Sequence, residues 1–268
     1  MVAAKRAAPF PSAATNEWPG KVVLVTGGGQ GIGKGIAEAV LAAGGSVVVG
    51  DLDAEAARAC IEEWNAGERA MSLVLDVARE ASVKRFVAAA QKRFGRIDGL
   101  VNNAGIAGPD NGPLEKLDWS EWKHRIDTNL GGTFLCSKHA LPALKKSNGA
   151  IVNIASSRAH QSEPDTEAYA ASKGGIVAFT HALAISAGPV RVNAINPGWI
   201  VVDEWKKPSA RHKAKLSAAD HAQHPVGRAG IPPDIGALAV FLLSSQAGFI
   251  TGENFTVDGG VARKMHYV

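Results

Sequence analysis

Short apolar runs alternate along this chain with longer stretches in which apolar residues recur every three or four positions. Lys21-Val22-Val23-Leu24-Val25 and Ser46-Val47-Val48-Val49-Gly50 are two such runs, and further ones lie at 70–75, 97–101, 151–154, 190–195 and 254–257. Branched apolar runs this short predict buried strands. The helical pattern falls at 33–43, 53–65, 79–94, 119–146, 169–187 and 234–244. Strands alternating with helices of this length imply parallel crossovers, and so a doubly wound parallel sheet with helices on both faces. No internal repeat and no second linker interrupts the series, which predicts one domain over 19–268. The pattern fails between 199 and 228, where Trp205, Pro208 and Pro225 interrupt a charged stretch. A long segment without periodicity inside a compact domain predicts a lid. Asn129-Leu130-Gly131-Gly132, in the middle of the 119–146 stretch, is a poor helix sequence. It predicts either a kink that frees a carbonyl for a bound water or a close approach to a neighbouring helix.

Residues 1–16, rich in Ala and Pro with only Lys5 and Arg6 as charges, lack the apolar core of a secretory signal. They predict a mobile tail, taken as ending at residue 18, or an arm docking on a neighbouring subunit. No apolar run reaches the roughly 18 residues that span a bilayer. At 268 residues, 46% hydrophobic and 20% charged, the chain has the makeup of an ordinary soluble protein with a sizeable core. The net charge of +4 is small and scattered, with no basic stripe carrying interleaved aromatics, which argues against a nucleic-acid partner. Cys60 and Cys136, the only cysteines, lie in predicted helices without metal or disulfide spacing. Two buried structural thiols suit a reducing, cytoplasmic compartment, and no metal site is expected.

The candidate chemistry sits where predicted strands end. Thr26-Gly27-Gly28-Gly29-Gln30-Gly31-Ile32-Gly33 follows the first strand and opens a helix. That arrangement places backbone N–H groups and a helix N-terminus against a phosphate, or else makes only a tight turn. Its spacing is not the common G-x-G-x-x-G. Asp51, about twenty residues on at the end of the second strand, is placed to accept from an adenosine ribose, or to open a turn before a helix. With Gln30 and Leu52 beside it and Lys34 expected to face water, no cation offsets its charge against a 2′-phosphate, which favours NAD over NADP. Ser156 follows the strand at 151–154, and Tyr169 and Lys173 lie four apart on the next helix, hence on one face. An ammonium near a phenol lowers the phenol's pKa and makes it a general acid and base for an alcohol–ketone pair. Taken alone, the same residues read equally well as a surface serine and an exposed Tyr–Lys pair.

Together these residues resemble the short-chain dehydrogenase/reductase family over nearly the whole of 21–260. Thr26-Gly27-x-x-x-Gly31-x-Gly33 is similar to its cofactor loop, Asp76-Val77 to its adenine contact, and Asn102-Asn103-Ala104-Gly105 to its ribose-side motif. Asn129, Ser156, Tyr169 and Lys173 are similar to its catalytic tetrad, and Pro197-Gly198 to its nicotinamide-side turn. The resemblance implies a Rossmann-type fold, a homotetramer, and an NAD-dependent oxidoreductase for a secondary alcohol and its ketone. In it Ser156 steadies the substrate oxygen and Tyr169 passes the proton. Lys173 tunes Tyr169 and bonds the ribose, and Asn129 holds a water linking Lys173 to solvent. Gln30, Ile32, Leu52, Ala104 and Ile200 complete the expected cofactor contacts. Val202 departs from the family, which often has Thr there to bond the carboxamide; weaker cofactor anchoring until the lid closes is the expected consequence. Arg158, His160, Glu163, Trp199 and Trp205 are candidate substrate contacts, a mix polar enough to favour a small polyol, sugar-like substrate or hydroxy acid. The alternatives are reduction of a 3-oxoacyl thioester, or a catalytically silent NAD sensor on the same fold.

Overall fold

The computed structural model describes residues 17–265. Seven strands form one parallel sheet in the order β3-β2-β1-β4-β5-β6-β7. They are β1 (Val22–Thr26), β2 (Ser46–Asp51), β3 (Ala70–Val74), β4 (Gly99–Asn102), β5 (Ala150–Ile154), β6 (Arg191–Pro197) and β7 (Asn254–Val257). The helices are α1 (Gly31–Ala42), α2 (Ala54–Trp64), α3 (Glu80–Phe94), α4 (Trp119–Ile126), α5 (Gly132–Ser147), α6 (Glu167–Ser186), α7 (Ala218–Ala222) and α8 (Pro232–Leu243). Both faces of β1 are buried. Val23 and Val25 meet Ile36 and Val40 of α1 and Ile235 of α8, while Val22 and Leu24 meet Phe86 of α3 and Leu144 of α5. Coverage on both faces is why the central strands read as continuous apolar runs. The winding reverses between β1 and β4, so loops leaving these two strands part and open a crevice at their carboxyl ends.

The single helical stretch expected over 119–146 is three pieces: α4, one π turn over Asp127–Gly131, and α5. The regular helix is interrupted here, and the neighbouring α6 passes close by, since a Cβ on its Gly175 would lie 2.7 Å from Leu130. The Asn129 carbonyl, expected to hold a water, accepts from the Thr133 hydroxyl at 2.8 Å. At Gly132 a Cβ would lie 2.6 Å from Val77, so the helix also approaches closely there.

Residues 1–16 of the expected tail lie outside the described residues, but its last two positions belong to the fold. Trp18 is 8% exposed and packs in the core, and Glu17 bonds Lys21 at 2.7 Å and the Ser245 amide at 3.0 Å. An indole's apolar area outweighs the cost of ordering the chain end. Lys34 does not face water either; it is 3% exposed and its ammonium pairs with Glu63 on α2. Cys60 and Cys136 are buried, and desolvation pushes both thiols up to about 12, which keeps them protonated.

The 199–228 segment carries two short 3-10 turns and α7. Lys207 pairs with Asp53 at 2.8 Å and Glu55 at 2.7 Å, and Arg211 with Glu63 at 2.6 Å, so the segment is strapped onto α2. Among the described residues no helix is long and apolar enough to cross a membrane. Trp18→Ala should lower unfolding stability by about 3 kcal/mol in urea titration; a change under about 0.5 kcal/mol would return Trp18 to the tail.

Candidate active site

The glycine turn leaves β1 and enters α1 with Gly27 and Gly31 at φ +59 and +60, conformations that disfavour a side chain. At Gly33 a Cβ would sit 2.1 Å from the Gly27 carbonyl oxygen, so the turn closes only on glycine. Thr26 and Asn103 brace it. The Thr26 hydroxyl accepts from the Asn103 and Ala104 amides, both at 3.0 Å. The Asn103 side chain donates to the carbonyls of Thr26 at 3.0 Å and Gly27 at 2.9 Å. Asp51 braces the other side, its carboxylate accepting from the Gly29 and Asp53 amides, each at 3.0 Å. Burial raises the Asp51 pKa against these bonds.

A cleft of about 790 Å³ runs along these elements. Gly27, Gln30, Gly31 and Ile32 line it from the turn, Asp51 and Leu52 from the end of β2, and Asp76 and Val77 from beyond β3. Asn103, Ala104 and Gly105 line it after β4, and Ser156, Tyr169, Lys173, Pro197 and Gly198 close the other end. Val202 also faces it, 3.6 Å from where a Gly31 Cβ would stand. Gly33 lies beneath the turn rather than on the wall.

Parallel pairing puts the ends of β5 and β6 side by side, and α6 returns over them. Ser156 is extended just past β5, its hydroxyl accepting from the Arg158 amide at 3.1 Å. The Lys173 ammonium, 5% exposed, donates to the Ile154 carbonyl at 2.9 Å and stands 5.6 Å from the centre of the Tyr169 ring. Asn129, fully buried, sits behind them. Its side-chain oxygen accepts from the Ile106 amide at 2.8 Å and its nitrogen donates to Ser172 at 3.0 Å. The side chain therefore spends both ends on protein. The backbone carbonyl accepts from the Thr133 hydroxyl.

The electrostatics correct one expectation. Desolvation is the largest influence on Tyr169 and raises its pKa; the Ser156 hydroxyl and the positive charge of Arg158 oppose it. Lys173 is not among the influences on the phenol, and burial lowers the lysine itself, from 10.5 to about 8. Two groups withdrawn from water together each favour their neutral form.

Six expected contacts lie elsewhere. Trp199 and Ile200 line a second cleft, of about 690 Å³, against β7, with Ile200 bridged to Gly230. Arg158 and Glu163 pair with each other, and His160 meets Asn196 at 3.2 Å. Trp205 sits in a 3-10 turn of the 199–228 segment. None of Arg158, His160, Glu163 and Trp205 lines the first cleft. Nearness in sequence to Ser156 does not set which way a loop side chain points. The loop after Gly105 reaches the cleft wall through Ile106 and Ala107, while His124, Thr128 and Arg79, also on that wall, were missed by sequence reasoning. Thr128 precedes Asn129, and Arg79 pairs with Asp76 at 3.2 Å; their neighbours were the available signal.

A Rossmann-type α/β sheet whose strand ends gather a glycine turn, a serine, a tyrosine and a lysine defines the class of the protein. A family model described as enoyl-(acyl carrier protein) reductase matches residues 27–262. An uncharacterized oxidoreductase of Thermotoga maritima is 48% identical over 258 residues, covering 92% of this chain and 98% of its own. L-fucose dehydrogenase of Bos taurus is 40% identical, covering 91% of this chain and 90% of its own. The solved structure of an apo SCOR enzyme from Clostridium thermocellum superposes with a TM-score of 0.82 at 41% identity, over 92% of this chain and 95% of that one. The chain belongs to the short-chain dehydrogenase/reductase family of oxidoreductases.

The depressed pKa of Lys173 has a signed consequence. Between about 8 and 10.5 the folded lysine is neutral while the unfolded one is still charged, so burial is penalised in full below 8 and the penalty fades as pH rises to 10.5. Lys173→Met should flatten a rise in stability across that window, measured by urea titration at successive pH values; an unaltered slope would mean that the ammonium is solvated.

Proposed function

We propose that the protein is an NAD(H)-dependent oxidoreductase interconverting a small polar secondary alcohol, such as a polyol, sugar or hydroxy acid, with its ketone. The observation carrying this reading is the convergence of Ser156, Tyr169 and Lys173 at one end of the cleft that begins at the glycine turn. The residues fit a dinucleotide. The Gly31 Cβ direction points toward Val202 across the cleft, so a side chain there would fill the cradle that the turn leaves open. Gln30, Gly31 and Ile32 would meet the diphosphate at the N-terminus of α1, with Asp51, Leu52, Asp76 and Val77 at the adenosine end. Asn103, Ala104, Gly105, Pro197 and Gly198 would flank the riboses and the nicotinamide. The bound nicotinamide supplies the carbon that gives or takes the hydride.

The Ser156 hydroxyl accepts from the Arg158 amide and reaches Tyr169, and its proton would turn to the substrate oxygen when substrate enters between them. Tyr169, its pKa raised by burial, is a phenol at neutral pH and donates its proton to a carbonyl oxygen during reduction. Oxidation needs the phenol deprotonated and is favoured as pH rises. Lys173, placed by the Ile154 carbonyl, holds the ribose side, and Asn129 locks the loop after Gly105 against α6.

Asp51 supports NAD over NADP. A 2′-phosphate would face the carboxylate of Asp51, which lines the cleft. The nearby cations are engaged, Arg79 on the cleft wall by Asp76, Lys34 by Glu63 and Lys207 by Asp53 and Glu55. Val202 offers the carboxamide no hydrogen bond, so the 199–228 segment is proposed as a lid that completes cofactor anchoring. A homotetramer is proposed on the family resemblance, with the 47% and 86% exposure of Phe134 on α5 and Ile185 on α6 as apolar surface for a second copy.

The test is a screen of polyols, sugars and hydroxy acids with NAD and NADP, read by nicotinamide absorbance, with Asp51→Ala beside the unsubstituted protein. NAD-linked turnover and a shift of the variant toward NADP by about tenfold or more are expected. Preference for NADP in the unsubstituted protein, or turnover of thioesters but of no small polar alcohol, would overturn this reading.

A further inference from the structure

The helix that carries Tyr169 begins without a cap of its own. Thr166, its N-cap residue, turns its hydroxyl back onto the Glu163 carbonyl at 2.8 Å and makes no cap bond. Asp165, just before it, is held at φ +63, where non-glycine residues are uncommon. The missing acceptor comes from 57 residues upstream. The Asn111 side-chain oxygen accepts from the Ala168 amide at 3.1 Å, the bond that an N-cap side chain makes to the second helical residue. The Asn111 amide donates to the Asp165 carbonyl at 2.7 Å, and its side-chain nitrogen donates to Glu167 at 3.0 Å. The loop is pinned in turn from α4. The Arg125 guanidinium, 6% exposed, donates to the carbonyls of Gly108 and Asp110 and pairs with Glu121 at 3.0 Å.

We infer that Asn111 is a positioning residue, a cap lent by the loop over 106–112 to the helix of Tyr169, so that order in that loop and order of the phenol are one equilibrium. This rests on the role proposed above for Tyr169. Tyr169 is the third residue of α6, inside the turn that fraying reaches first. Lys173, one turn further on, is tied to β5 instead. The same loop lines the cleft through Ile106 and Ala107. A substrate seated on those residues steadies Asn111 and with it the phenol, whereas the glycine turn and Asp51 stand apart from the bracket. Uncapping therefore strikes proton transfer and spares cofactor binding.

The experiment compares Asn111→Ala with Asn111→Asp, both with Glu167→Gln so that no carboxylate opposes the aspartate. Turnover, NADH affinity by fluorescence, and amide exchange are measured on the full chain. Asn111→Ala should lower kcat about tenfold or more, as expected for a misplaced reacting group, with NADH affinity within about twofold. Exchange at Ala168 and Tyr169 should quicken while that at Ile176 holds. Asn111→Asp, which keeps the acceptor, should restore kcat to within about threefold. An unchanged kcat in the alanine variant, equal loss in both variants, or NADH affinity falling in step with kcat would overturn the inference. If the unsubstituted protein turns over no alcohol or ketone, the proposed function fails instead, and the exchange rates at Ala168 and Tyr169 still decide whether the cap exists.

Discussion

A lysine ammonium held out of water against one carbonyl oxygen is the contact on which the rest of the site depends. Lys173 donates to Ile154, the last residue of β5, and so fixes α6 to the strand that also delivers Ser156. Because Tyr169 lies one helical turn before Lys173, the same contact sets the phenol beside the serine. The energetic cost of burying the cation appears in its pKa of about 8, and the surrounding packing must offset it. Asn129 provides part of that packing. The π turn aims its amide at the loop after β4 and at α6 together, which joins three elements behind the lysine.

The other half of the cleft obeys a different constraint. The glycine turn is shaped by how closely backbone must approach backbone, as Gly33 against Gly27 and Gly27 against Ala104 show. Asn103 and Asp51 fasten it with bonds from neighbouring strand ends. Between the halves, the segment over 199–228 is tied to α2 by exposed ion pairs of Lys207 and Arg211. Such pairs contribute little each and are screened by salt. That suits a proposed lid better than a buried hinge would.

Much of this was legible in the sequence because it follows from covalent pattern. Apolar runs with both faces buried announce β1, β2 and β5, and a glycine-rich exit from β1 announces the turn. A break in the helix was legible at Asn129 because two glycines and an amide weaken a helix whatever surrounds them. What depends on side-chain direction was not legible. Arg158 and His160 follow Ser156 closely, yet one turns to Glu163 and the other to Asn196. Lys34 begins a helix, where exposure is the ordinary outcome, but Glu63 on α2 draws it inside. Tyr169 lines the cleft with Ser156 and Lys173, but burial rather than the lysine is the largest influence on its pKa. Spacing puts an ammonium near the phenol, but only the fold sets how far both are withdrawn from water.

The central claim, that Tyr169 passes a proton and does not merely fill the cleft, is tested most directly by Tyr169→Phe. Ketone reduction would be followed by NADH absorbance, with NADH affinity measured by fluorescence. The variant removes one oxygen and leaves the ring that packs the helix. Loss of about a hundredfold or more in kcat, with NADH affinity within about threefold, is the predicted result. Turnover within about tenfold of the unsubstituted protein would contradict the account.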